Sequence, residues 1–347
     1  MRFGIVGCGV VGALRAQALA ALKGAELVCL ADPDRERRTR LASRYGCAHR
    51  SDASQLLAEP SVEAVIVCTP PDRHREHVLA SLASGRPVLC EKPLAPTPEE
   101  CREMVRDAAA RRLTLATGFN LRHFPAFARA REALASGAIG ELDFVRAYHG
   151  HPGGSEFTHD SVHDARVSGG GTLMDNGIHL LDLVRFFLGD VAEVKGYRSQ
   201  SVWRFPDCED NGFALLRSTS GRIAVLQSSW TEWRGYGLWV EIYGTRGFTR
   251  ASYPPMLFQL ARAEAPGARP RVKRSWFPWL QVIERMRSYR WTMVQSFRAE
   301  LEDFIEAVRS GRPALSSGLD GLLATEIAHA IYRSSQSGEC VHVAAAG

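Results

Sequence analysis

No stretch of this 347-residue sequence holds about eighteen consecutive apolar residues, so no segment reads as a membrane-spanning helix. Cysteine occurs eight times but never as C-x-x-C, which removes the usual spacing of a zinc or dithiol motif. The thiols are scattered, several inside or beside apolar runs, where a free cysteine behaves as a small hydrophobe. That usage fits a reducing compartment, and a cytoplasmic protein without a bound metal is expected. A dominant charge of one sign is also missing: 43 Lys and Arg against 38 Asp and Glu leave +5. An excess this mild permits an anionic ligand but does not call for nucleic acid. No internal repeat of solenoid period is found. The apolar stretch 3–11 is broken by Gly4, Gly7 and Gly9 and has no small-residue cleavage site, so no secretory leader is expected there.

What is present divides in two. Short runs rich in Val, Leu, Ile or Cys (3–6, 26–30, 64–68, 87–90, 113–117) alternate with helical segments (11–22, 35–45, 73–84, 98–111). Strand–helix alternation at this spacing predicts a doubly wound parallel sheet. After Asn120 the pattern changes. A helix over 124–136, a strand over 142–148 and a Gly/His-rich loop over 149–171 lead to an apolar helix, 178–188. Strands are then expected over 193–202, 212–218, 223–230, 239–243 and 248–251. Helices over 297–310 and 318–335 and a strand near 341–343 close the chain. Successive strands predict a mostly antiparallel sheet, hence an α/β protein with an α+β second half. The expected domains are 1–121, binding a dinucleotide, and 122–347, binding substrate and making oligomer contacts.

Gly7-Cys8-Gly9-Val10-Val11-Gly12 is a G-x-G-x-x-G between a strand and a helix. In that setting the first glycine makes the turn, the second admits a pyrophosphate, and the third lets the helix pack closely. The helix N-terminus offers unpaired N–H groups to the phosphates. Asp32 ends the second strand, twenty residues beyond Gly12, where a carboxylate accepts ribose hydroxyls and repels a 2′-phosphate. NAD is therefore expected over NADP, although Arg35, Arg37 and Arg38 nearby are either solvated helix residues or phosphate ligands.

Glu91-Lys92-Pro93 follows a strand, so Lys92 emerges at the carboxyl edge of the parallel sheet, where ligands bind in such folds. On spacing alone a surface lysine is an equal alternative. Further on, Gly169-Gly170-Gly171 precedes Asp175-Asn176-Gly177-Ile178-His179. Asp175 and His179 stand four apart and share a helix face, beside a buried stripe of Ile178, Leu181, Val184 and Leu188. A satisfied core histidine and a catalyst oriented by the aspartate are both open readings.

Together these residues resemble the glucose–fructose oxidoreductase, inositol dehydrogenase and rhizopine-catabolism family, Gfo/Idh/MocA. The resemblance runs over nearly the whole chain. It adds Cys68-Thr69-Pro70, His74, Gly118-Phe119-Asn120-Leu121-Arg122 and Ser317-Gly318-Leu319-Asp320-Gly321 to the motifs above. It implies a Rossmann domain followed by an α/β domain whose open sheet makes the oligomer contact. It also implies that Lys92, Asp175 and His179 line the place where substrate meets nicotinamide. Thr69, Pro70, His74, Glu91 and Asn120 are expected along the cofactor, with Val10 and Val11 of the glycine loop. Arg122 and Asn176 are expected to bind substrate with Lys92 and His179.

The implied activity is NAD(H)-dependent oxidoreduction of a secondary alcohol in a sugar, inositol or sugar derivative. His179 would be the general base and Lys92 the cation near the developing alkoxide. Asp175 would fix a substrate hydroxyl. His149, His151, His159, His163, Tyr148, Trp230 and Trp233 are further candidates for a carbohydrate site. Two other readings remain: an NAD-using glycosidase of the same family, and a non-catalytic dinucleotide sensor. Residues 269–291 interleave seven Arg or Lys with Trp, Tyr and Phe. That mixture predicts an arm that packs on a partner subunit or rims the active site.

Overall fold

The computed structural model describes residues 1–153, 163–265 and 268–343. Two compact units emerge: residues 1–120 with 286–322, and residues 121–285 with 323–347.

The first unit begins β1 (Arg2–Val6), α1 (Val10–Ala20), β2 (Glu26–Ala31), α2 (Arg35–Tyr45), β3 (Ala48–Arg50) and α3 (Ala53–Leu57). It continues with β4 (Ala64–Val67), α4 (His74–Ala83), β5 (Val88–Cys90), α5 (Pro98–Arg111) and β6 (Leu115–Thr117). The six strands are parallel in the order β3-β2-β1-β4-β5-β6. This is the doubly wound order, with its reversal between β1 and β4. The central strands β1, β4 and β5 are apolar over most of their length because both faces are covered, whereas the edge strand β3 is largely exposed. Phe3, Ile5, Ala64, Ile66 and Leu89 point into one core, while Val6, Val65, Val67, Val88 and Cys90 point into the other. Helix starts follow local chemistry: Asp34 caps α2, and Thr97 caps α5 with Pro98 in its first turn. The short elements β3 and α3 escaped sequence reading, since three and five residues carry no legible period.

The second unit opens with α6 (Pro125–Ala135), β7 (Leu142–Gly150), α7 (Ala165–Ser168), α8 (Thr172–Asp175) and α9 (Gly177–Leu188). Seven strands follow: β8 (Val191–Ser199), β9 (Asn211–Ser218), β10 (Ile223–Ser229), β11 (Gly237–Gly244), β12 (Gly247–Tyr253), β13 (Leu257–Arg262) and β14 (Arg271–Trp276). The chain closes with α10 (Pro278–Arg287), α11 (Arg290–Ser310), α12 (Gly318–Ser337) and β15 (Val341–His342), of which α11 and the start of α12 belong to the first unit. Nine strands form one sheet, β14-β13-β12-β11-β7-β10-β9-β8-β15, antiparallel except where β10 runs beside β7.

Side chains alternate across this sheet. On β9, Gly212, Ala214 and Leu216 are buried while Phe213, Leu215 and Arg217 are exposed. Helix α9 lies on the buried face against β7 and β10 and is apolar around most of its circumference. Strands β13 and β14 and helix α10 were not anticipated. β14 is an edge strand with nearly every side chain in water, so no alternating pattern marks it. α11 starts at Arg290 rather than at the expected 297, and it belongs to the first unit, where Phe304 packs on Phe3. Among the described residues no helix is long and apolar enough to cross a membrane.

Candidate active site

In the first unit the chain leaves β1 through the glycine loop. Gly7 has φ 98°, and a Cβ there would stand 2.6 Å from the Cys68 carbonyl. On Gly12 it would stand 2.0 Å from the Gly7 oxygen, so space alone fixes both glycines. At Gly9 a Cβ would meet nothing within 4 Å, leaving the loop open on that side. Helix α1 starts at Val10 with no side-chain cap and no acid in its first turn, so its first N–H groups have no side-chain acceptor among the described residues. Val11 follows in the same first turn, half-buried. The buried Thr69 hydroxyl beyond β4 has no hydrogen-bond partner among the described residues, and Pro70 beside it is exposed. An open loop, an uncapped helix end and an orphaned hydroxyl fit the pyrophosphate and its neighbours in a dinucleotide.

Asp32 is nearly buried at the end of β2. Its carboxylate accepts the Cys8 N–H at 2.6 Å and the Asp34 N–H at 2.8 Å, so the group that would meet the ribose is locked to the glycine loop. Burial and this carboxylate push the Cys8 thiol up to about 12, and it stays neutral. Of the three arginines, Arg37 pairs with Asp34 at 3.1 Å, and Arg38 donates to the carbonyls of Asp32 and Pro33. Arg35 is exposed.

At the end of β5, Glu91 is held by Arg15 at 2.5 Å, and Arg15, fully buried, also pairs with Glu300 of α11 at 2.5 Å. The ring of Phe297 lies 3.9 Å from that guanidinium. A Cβ on Gly118 would come within 2.9 Å of both Arg15 and Glu91, so a larger residue there would have to displace this pair. Lys92, half-buried, follows directly, and its peptide bond to Pro93 is cis. His74, expected along the cofactor, is fully buried. Its Nδ1 faces the Pro93 carbonyl at 2.9 Å and its Nε2 the Thr69 carbonyl at 2.8 Å. It joins the Thr69 loop to the Lys92 loop. Asn120 is buried too, its amide donating to Ser296 of α11 at 2.8 Å.

In the second unit, Asp175 ends α8 and His179 lies in the first turn of α9. Both are part-exposed, whereas Met174, Asn176, Gly177, Ile178 and Leu180 around them are buried. One acid and one imidazole thus keep partial exposure on either side of the junction between α8 and α9, in otherwise buried surroundings. The fully buried Trp230 donates its indole N–H to Asp175 Oδ2 and Asn176 Oδ1, 3.2 Å each. His151 Nε2 lies 3.8 Å from Asp175 Oδ2. Its Nδ1 accepts the Gly153 N–H, which leaves the ring proton on Nε2, toward the carboxylate. His149 bonds Tyr236 at 2.8 Å and the Asn176 carbonyl at 3.2 Å, its ring centre 6.5 Å from that of His179. Tyr236 was missed in the sequence, the only local signal being its place between Gly235 and Gly237.

The remaining candidates lie elsewhere. Arg122 is buried, and both oxygens of Asp182 accept from it, at 2.8 and 2.5 Å. That fork is spent on a carboxylate that is itself buried. Asn176 is buried beneath Trp230 and His149. Tyr148 donates to Glu232, Trp233 is exposed, and His163 stacks on Phe205. His159 lies outside the described residues.

Two family models match this chain. The oxidoreductase, NAD-binding Rossmann model of GFO/IDH/MocA covers residues 1–119, and the GFO/IDH/MocA C-terminal domain covers 127–250. The inositol 2-dehydrogenase of Rhizobium meliloti is 28% identical over 341 residues, 96% of each chain. The myo-inositol 2-dehydrogenase of Thermotoga maritima is 28% identical over 340 residues, again 96% of each. Among solved structures, a levoglucosan dehydrogenase in complex with NADH shares the fold with a TM-score of 0.88 at 23% identity, over 99% of each chain.

Proposed function

The chain belongs to the Gfo/Idh/MocA oxidoreductase family, and from that premise we propose that it oxidises a secondary alcohol of a sugar, inositol or sugar derivative with NAD. The observation that carries this reading is the part-exposed pair Asp175 and His179 in otherwise buried surroundings. NAD, when bound, supplies the acceptor for the hydride. Gly7, Gly9, Gly12, the first turn of α1 and Asp32 would hold it, with Thr69 and Pro70 beside it.

As the hydride leaves the carbon, the hydroxyl proton must go elsewhere. A ring nitrogen of His179 takes it, imidazole being the side chain suited to general-base work near neutral pH. By the family resemblance, Lys92 would supply the cation that stabilises the developing alkoxide. Asp175 accepts a neighbouring substrate hydroxyl, its own position held by the Trp230 indole. The product is a ketone, with the proton on His179.

The same reading makes the protein cytoplasmic, with its thiols reduced, and homo-oligomeric through the exposed face of the nine-stranded sheet. Tyr197, Phe213, Leu215, Ile223 and Val225 are each more than two-fifths exposed on that face. A contiguous apolar patch of this kind marks a contact surface.

The test is a panel of polyols, sugars, uronates and sugar nucleotides with NAD, followed by NADH absorbance, and then two variants on the best substrate. His179→Ala should lose about a hundredfold to ten-thousandfold in turnover with NAD affinity nearly unchanged. Lys92→Ala should fail similarly, with some loss of cofactor binding. Full turnover in folded His179→Ala protein would end the assignment, and absence of net NADH release would favour a glycosidase using bound NAD.

A further inference from the structure

The glycine-rich turn before Asp175 is not held by its own sequence. Gly171 N–H donates to Glu209 Oε2 at 3.0 Å, and Leu173 N–H donates to Glu209 Oε1 at 2.8 Å. Between them Thr172 N–H donates to the Glu209 carbonyl at 3.0 Å. Three consecutive donors at the start of α8 are thus satisfied by one residue from the loop before β9, 36 to 38 positions away. The approach is close: a Cβ on Gly171 would stand 2.2 Å from the Glu209 oxygen, and one on Gly170, at φ +156°, would stand 2.0 Å from the Tyr332 hydroxyl. That hydroxyl donates to Glu209 Oε1 at 3.1 Å. The carboxylate is 2% exposed. Burial pushes its pKa up, against the N–H donors of Leu173 and Gly171 and the Tyr332 hydroxyl, which favour the anion.

Helix α8 is only four residues long, and Asp175 is its last. An isolated turn of this length has no stability of its own, so its place is set by what its N–H groups bond. The other end is fixed by Trp230 on Asp175 and Asn176. We infer that Glu209 is the positioning residue of the site: by holding the N–H groups of Gly171, Thr172 and Leu173 it sets where Asp175 and His179 stand. It touches neither substrate nor cofactor. This inference rests on the reading of Asp175 and His179 given above.

The experiment compares Glu209→Gln, Glu209→Asp and Glu209→Ala with His179→Ala, measuring kcat, substrate KM, NADH affinity and melting temperature. Glutamine keeps an oxygen for Leu173 and Tyr332 but sets an amide N–H against Gly171. Aspartate keeps the charge and, one methylene shorter, reaches neither N–H. Displacing reacting groups by about 1 Å costs on the order of a hundredfold in rate. The expected order of kcat is therefore wild type, then Gln about tenfold lower, then Asp and Ala about a hundredfold lower, all with unchanged NADH affinity. If Glu209 only stabilises the fold, melting temperature falls while folded protein keeps wild-type kcat and KM, and the inference is overturned. Asp matching wild type would overturn it as well, since charge alone would then suffice. Should the Ala protein not fold, the Gln-to-Asp order decides. An active His179→Ala protein rejects the underlying site, whereas an inactive one beside fully active Glu209 variants rejects this inference alone.

Discussion

Asp32 shows how one carboxylate can serve two purposes. It is hydrogen-bonded to the Cys8 N–H of the glycine loop and to Asp34, so the group expected to select the ribose is also part of the phosphate loop's scaffold. NAD should therefore bind markedly better than NADP. Asp32→Ser should narrow that gap, partly by weakening NAD, and a fluorescence titration of NADH and NADPH on both proteins reads the effect. Equal affinities in the wild type would instead promote the exposed Arg35, because Arg37 and Arg38 already have partners. Arg122 teaches the opposite lesson. A cation in the right motif looked like a substrate ligand, but buried beside Asp182 it is half of an ion pair whose loss would strand a charge in the interior. Residue type alone does not distinguish these two arginine environments; burial does.

Among the elements, the loops after β4 and β5 depend on each other through His74. Burial lowers its pKa, against the carbonyls of Thr69 and Pro93, which favour the protonated ring. The folded protein therefore binds this proton less readily than the unfolded chain, whose imidazole titrates near 6.5. Its contribution is complete above that pH and declines as pH falls from about 6.5 through the lowered folded value. His77, also lowered by burial, acts in the same direction. His74→Gln keeps polar contacts without titrating, so its melting temperature should fall less steeply than the wild type's between about pH 7.5 and 5. Parallel slopes would remove His74 from the account. α11 makes a related point at longer range: Glu300 and Ser296 reach Arg15 and Asn120 of the dinucleotide unit from far along the chain. A helix pattern reveals the apolar face of α11 but says nothing about which unit it covers.

For the whole molecule, the exposed face of the nine-stranded sheet gives the clearest test of assembly. Val225 stands opposite Leu215 across β10 and β9, so Leu215→Glu with Val225→Glu places like charges opposite each other on the proposed contact. The double variant should run as a monomer in size-exclusion chromatography with light scattering, against an oligomeric wild type, while its circular dichroism stays unchanged. A monomeric wild type, or an unaltered mass in the variant, would refute contact through this face. The sequence by itself determined the parallel sheet, the glycine loop, Asp32 at the end of β2, and the helix over 178–188. Each of these is written in local periodicity or in the steric demands of a single turn. It also carried the family motifs that pointed to NAD and a polyol. Only the tertiary structure decided that Arg122 and His74 turn inward, that residues 286–322 complete the first unit, and that Glu209 holds the turn before Asp175. Burial and hydrogen-bond partners are settled by segments tens to hundreds of residues apart, and no local pattern encodes which of them will meet.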